Sequence, residues 1–135
     1  MTTLHKHNIR VYYEDTDAGG IVYYANYLKF LERARTEWLR DLGFEQDILL
    51  ERSLGFVVKR VEMDNHAPGR FNELLSIQTE IVELRRASLM FKQIITSPND
   101  TRLVSALIRV ACVNFSTMKP QAIPASILGE FSRVV

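Results

Sequence analysis

The chain has 135 residues, 47% of them apolar and 24% charged, with seventeen basic against sixteen acidic residues and a net charge of +1. That length suits one domain spanning residues 1–135 with a core that needs no staple, and the charge balance argues against a dedicated nucleic-acid binder. Cys112 is the one cysteine, so no intrachain disulfide can form, and no stretch approaches the ~18 apolar residues of a membrane span.

Residues 7–13 alternate, with Ile9, Val11 and Tyr13 against Asn8, Arg10 and Tyr12, and predict a first strand. The strand runs into Glu14-Asp-Thr-Asp-Ala-Gly-Gly20, a loop of small and acidic residues. Over residues 26–42 the period changes. Tyr27, Leu31, Ala34, Trp38 and Leu42 recur at helical spacing with Leu28, Arg35 and Leu39 alongside, and Lys29, Glu32, Arg33, Glu37 and Arg40 fill the other face. Arg33 and Glu37 are spaced to pair. Gly43 suits a left-handed C-cap, with Phe44 placed to pack back. Alternation then returns. Val57, Val61 and Met63 alternate with Val58, Arg60 and Glu62, and the stretch Ala67-Pro-Gly-Arg70 predicts a turn. Leu75, Ile77, Thr79 and Ile81 mark another strand, which Arg85-Arg-Ala87 interrupts before residues 88–96 resume it. Residues 97–100 form a turn, residues 103–115 the longest strand, and residues 124–131 a short helix with proline near its start. One long helix with about five antiparallel strands predicts an α+β domain, the helix lying across a curved sheet. Such a sheet has edges, and pairing one with its copy predicts at least a dimer.

The loop holds the most chemistry. Three carboxylates in four residues repel one another, and two glycines before a helix let the backbone approach another group closely. A helix start adds partly unsatisfied N–H groups at the positive end of the dipole. A carboxylate can act as base or nucleophile, and such donors can hold an oxyanion, which are the two parts of acyl hydrolysis. A second reading stays open, in which Asp15 and Asp17 only cap turns and the helix. Elsewhere the sequence excludes more than it offers. His5, His7 and His66 have no metal-ligand spacing, and there is no Gly-x-Ser-x-Gly elbow, Walker or Rossmann glycine pattern. His66 reads as a polar loop residue and Cys112 as a buried thiol. Lys59-Arg60, Arg85-Arg86 and Lys119 are solvated-face residues taken singly, and together the candidate grips for the phosphates of a nucleotide-bearing substrate. No cofactor is implied. Without an apolar N-terminal segment the default location is the cytoplasm, with peripheral contact at the inner membrane left open.

From Tyr12 to Glu37, through Asp15-x-Asp17-x-x-Gly20-x-Val22-x-x-x-x-Tyr27, the sequence resembles the hot-dog-fold acyl-CoA thioesterases. It is most similar to the bacterial Tol–Pal-associated group and more distantly to 4-hydroxybenzoyl-CoA thioesterase. The likeness continues through Phe56-Val-Val-Lys59, Ala67-Pro68, Ile77-Gln-Thr-Glu80 and residues 88–120. It implies a central helix wrapped by an antiparallel sheet, protomers joined through their sheets into a dimer or, preferentially, a homotetramer, and hydrolysis of acyl-CoA in a site between two subunits. The second Asp of the motif, the family's catalytic carboxylate, falls on Asp17, and the backbone N–H near Tyr24 matches the donor to the thioester carbonyl. Gly20, Val22 and Ser88 complete a candidate substrate-binding set with Lys59, Arg85 and Arg86. A peripheral link to the Tol–Pal envelope system comes with the first group. Tyr24 departs from that group, which carries His there, and agrees with the aromatic-substrate enzyme. A hot-dog hydratase or dehydratase, and a non-catalytic acyl-CoA-binding or envelope-associated module, are the competing readings. The first of these wants an active-site His beside a carboxylate, which the helix region lacks.

Overall fold

A computed structural model describes residues 3–135, apart from the side chains of residues 46 and 48. The elements run β1 (His5–Arg10), a 3-10 turn (Tyr13–Asp15), α1 (Asn26–Asp41), α2 (Gln46–Glu51), β2 (Leu54–Asn65), β3 (Leu74–Leu84), β4 (Ser88–Thr96), β5 (Arg102–Asn114), β6 (Lys119–Pro120) and α3 (Ala125–Val134). The strands make one antiparallel sheet in the order β1-β3-β4-β5-β2, with β6 added to the end of β5. This is a hot-dog fold, with α1 against the face lined by Ile9, Leu75, Ile77, Ile81, Phe91 and Ile108, all buried. Among the described residues no helix is long and apolar enough to cross a membrane.

The helix follows its predicted stripe with two changes. Phe30 is fully buried and joins the stripe, whereas Leu28 is 40% exposed. Glu37 pairs with Arg40 rather than Arg33, whose guanidinium lies 6.0 Å from the Phe30 ring centroid. Gly43, at φ +93°, donates to Arg40 O and Phe44 donates to Leu39 O, both at 2.9 Å, so the last carbonyls are satisfied as the glycine cap predicts. The helix end is pinned to β1, because His5 stacks on Trp38 at 5.8 Å and its Nε2 lies 2.8 Å from Asp41 Oδ2.

Beneath the middle of α1 runs a buried polar thread. Arg35 Nη1 donates to Gln93 Oε1, while Gln93 Nε2 donates to Leu31 O and Thr79 Oγ1, all at 3.0 Å. Burial holds the Arg35 pKa down, to about 10, with Glu32 acting in the opposite sense.

Three expected strands need correction. The first ends at Arg10 because the Asp15 carboxylate takes the Tyr12 N–H at 2.8 Å and turns the chain; Val11 stays buried but Tyr13 is 80% exposed. In β2 the register shifts between Val58 and Arg60, and that bulge reverses the alternation. Phe56, Val58, Val61 and Met63 all sit opposite core residues of β5 (Cys112, Val110, Ile108 and Ala106), so they share the helix-facing side. Residues 103–115 shift by one, to Arg102–Asn114. The short elements α2 and β6 carry no periodic signal and were not expected.

Candidate active site

The acidic loop is folded by its own backbone, and its acids have different fates. Asp15 is 9% exposed, and its carbonyl accepts both Tyr23 N–H at 2.9 Å and Asn26 Nδ2 at 3.0 Å. Its carboxylate accepts Tyr12 N–H at 2.8 Å and so caps the 3-10 turn. Asp17 occupies the exposed turn that follows. Its N–H donates to Ile21 O at 2.9 Å, its carbonyl accepts Gly20 N–H at 3.0 Å, and Oδ1 accepts Gly19 N–H at 2.9 Å. Both glycines are used: a Cβ on Gly19 would stand 3.3 Å from Asp17 Oδ1, and Gly20 has φ +75°. Bridges from Thr16 to Val22 and from Ile21 to Arg70 tie the turn to the approach of β3.

The start of α1 comes next. Asn26, Tyr27 and Leu28 donate three residues back, to Tyr23, Tyr24 and Ala25, at 2.8, 3.2 and 3.2 Å. The N–H groups of Tyr24 and Ala25 have no partner among the described residues. These are the free donors that a helix start provides. The Tyr24 side chain is 61% exposed and rests on Tyr23 with ring centroids 5.2 Å apart.

Beside Tyr24 opens a cleft of about 370 Å³, walled by Ile21, Val22, Tyr27, His66 and Pro68 among others. The Tyr27 hydroxyl is fixed by Gly69 N–H at 2.9 Å, and burial raises its pKa above the ordinary phenol value. His66 belongs to this cleft, which the sequence did not suggest. Its Nε2 lies 2.8 Å from Ser105 Oγ, so the ring meets a serine and not the carboxylate a hydratase would want.

The candidate substrate-binding residues divide into two groups. Gly20 and Val22 lie with Asp17 and Tyr24. Lys59 is exposed at the bulge of β2, while Arg85, Arg86 and Ser88 lie at the β3–β4 turn. The Asp17 turn adjoins the opposite end of β3, where Phe71 N–H donates to Gly20 O and Val11 N–H to Glu73 O. The length of β3 therefore separates the groups within one protomer, roughly 30 Å at the strand rise. Arg85 is ion-paired with Glu83, which also holds Arg109 at 3.2 Å; Arg109 reaches Ser88 Oγ at 3.5 Å. Arg86 and Lys119 are exposed, and Cys112 is buried with its thiol pKa raised by that burial.

Residues 11–131 match the Thioesterase-like superfamily. The chain is 48% identical to the acyl-CoA thioester hydrolase YbgC of Escherichia coli O6:H1, over 98% of each chain. It is 47% identical to the acyl-CoA thioesterase YbgC of Haemophilus influenzae, over 91% of this chain and 90% of the relative. A crystal structure of a probable thioesterase from Bartonella henselae superposes with a TM-score of 0.85 at 38% identity, covering 90% of this chain and 100% of that one.

Proposed function

The chain belongs to the thioesterase-like superfamily, and from that premise we propose that it is an acyl-CoA thioesterase, releasing free acid and coenzyme A, in which Asp17 is the catalytic carboxylate. The observation that carries the residue assignment is an exposed Asp17 on a tight turn, with two unpartnered N–H groups, of Tyr24 and Ala25, at the start of α1 that follows in the chain. As a base, Asp17 takes a proton from the water that attacks the thioester carbon. As a nucleophile it adds to that carbon itself, and water then opens the mixed anhydride. On either route negative charge develops on the carbonyl oxygen, where the N–H near Tyr24 can stabilise it. The C–S bond then breaks and coenzyme A leaves as thiolate.

The site is proposed to need two copies. β2 is an edge strand twelve residues long, and its helix-facing Val58 and Val61 are 49% and 39% exposed. A long apolar edge of this kind is a template for a second strand. An antiparallel copy centred between Lys59 and Arg60 sets Val58 against Val61 of the partner subunit. The same two-fold carries the partner's β3–β4 turn, with Arg85, Arg86 and Ser88, toward the Asp17 end of the first protomer. The six candidate substrate-binding residues thereby serve one site from both chains. A single domain over residues 1–135, a homotetramer of two such pairs, a cytoplasmic location and a peripheral link to the Tol–Pal system belong to the same proposal, and rest on the resemblance.

Thiol release measured over short-chain, long-chain and aromatic acyl-CoAs tests the reading. Release from at least one substrate, lost in Asp17→Asn, is the expected result. Absence of release from every substrate, with binding retained, would leave the non-catalytic module instead.

A further inference from the structure

The Asp17 turn and the start of α1 are separate pieces of chain that must keep a fixed spacing if a carboxylate and an N–H are to act on the same carbonyl. Beyond the Thr16–Val22 bridge, one backbone oxygen reaches the first residue of α1. The Asp15 carbonyl oxygen accepts Tyr23 N–H at 2.9 Å and Asn26 Nδ2 at 3.0 Å. Asp15 is two residues before Asp17, and Asn26 is the first residue of α1, two after Tyr24. The Asp15 carboxylate has already been spent on Tyr12 N–H. Asn26 is not used as a helix cap, since Ala25 holds the N-cap position with helical dihedrals. Its amide is half-buried and turned back onto the loop, away from the helix it begins.

We propose that Asn26 is a positioning residue, whose side-chain amide sets the distance between the Asp17 carboxylate and the Tyr24 N–H; this rests on the assignment of those two groups above. Such a residue does not touch substrate. Its loss lets the turn move relative to the helix while the cleft and the phosphate-binding groups stay in place. Substrate binding should therefore persist and the chemical step should slow. Misplacement by about 1 Å is enough to cost on the order of 10² in rate in a well-oriented site. The Tyr23 N–H bond to the same carbonyl remains and limits the movement, so a loss of roughly tenfold is expected here.

The test uses the full chain, with Asn26→Ala, Asn26→Ser and Asp17→Asn compared on one good acyl-CoA. The expected result for Asn26→Ala is a kcat lowered roughly tenfold, a KM within about twofold of the parent, and an unchanged thermal midpoint. Asn26→Ser keeps a donor one bond nearer the backbone, on the same side of the helix start, and should recover part of the rate. An unchanged kcat in Asn26→Ala beside an inactive Asp17→Asn would overturn the positioning role and leave the Asp17 assignment standing. A fall in thermal midpoint with kcat and KM changing together, and no recovery in Asn26→Ser, would also overturn it, in favour of a merely structural bond. Full activity in Asp17→Asn would remove the assignment and this proposal with it.

Discussion

Replacing Gln93 with leucine asks how a cation is tolerated beneath α1. Arg35 is 8% exposed and Gln93 fully buried. Burial moves the Arg35 pKa down from the ordinary guanidinium value to about 10, which at ~1.4 kcal/mol per pH unit is a cost of about 3 kcal/mol for keeping the charge in the fold. Gln93 Oε1 at 3.0 Å and the Phe91 ring, 6.0 Å from the guanidinium carbon, offset part of that cost. Gln93→Leu strips the cation of its acceptor and also removes the donor to Leu31 O and Thr79. We expect a loss of about 3 kcal/mol, roughly 10 °C in Tm for a domain of this size. Arg35→Met removes the cation together with its desolvation cost and orphans only a neutral amide oxygen, so it should fall within about 1.5 kcal/mol of the parent. Urea denaturation at pH 7, fitted for midpoint and slope, measures both. The pH dependence has a definite sign. The folded pKa is the lower one, so the cost is fully present below about pH 10 and is relieved as pH rises above it toward the ordinary guanidinium value, because the unfolded chain holds the proton better. Over that window the stability difference should move in favour of the parent over Arg35→Met. A result in which Arg35→Met costs as much as Gln93→Leu would refute the reasoning.

Three further outcomes follow from the site. Asp17→Asn keeps shape and removes charge, so turnover should fall on the order of 10² or more, with Asp15→Asn far milder because its carboxylate only caps a turn; near-full activity in Asp17→Asn on a thiol-release assay would make the assignment wrong. Tyr24→Phe should cost less than about tenfold in turnover, under ~1.4 kcal/mol of barrier, because the proposed contribution comes from the backbone N–H. A loss as deep as that of Asp17→Asn in the same steady-state assay would show that the hydroxyl itself is catalytic. Val58→Lys places a charge on the proposed contact between β2 edges while the protomer, in which Val58 is 49% exposed, keeps its fold. Light scattering should show dissociation at micromolar concentration with activity falling alongside, and an intact oligomer would dismiss the β2 pairing.

Periodicity made most of the fold legible. A run of sixteen helical residues with one apolar stripe, closed by Gly43 and Phe44, leaves little choice of element or end. The breaks between strands were equally plain at Arg85-Arg-Ala87, between β3 and β4, and at residues 97–100, between β4 and β5. The misses are local competitions that a period cannot register. At Tyr12 a side-chain carboxylate three residues ahead outbid the strand for one N–H. At Lys59 a single extra residue put Val58 on the core-facing side, where alternation had set it with the solvent-facing ones.

The site divides in the same way. The loop's candidate chemistry could be read because its carboxylates, glycines and helix start are adjacent in sequence, whereas the choice of Asp17 over Asp15 came from the resemblance alone. What could not be read is relational. Arg35 meets Gln93 across 58 residues, His66 meets Ser105 across 39, and Tyr27 meets Gly69 across 42. None of these pairs has a spacing signature, since the sheet order brings them together. Distance along the chain likewise concealed that Arg85 and Arg86 stand a strand's length from Asp17 in their own protomer. Under the proposed pairing, their membership of one site depends on a second chain, and the basic residues acquire a role through the edge of β2. A variant confined to that edge should therefore weaken the grip on coenzyme A without touching any group that contacts it. A rise in KM that tracks dissociation, with Asp17 and Tyr24 unaltered, is the signature that separates a shared site from one complete in each protomer.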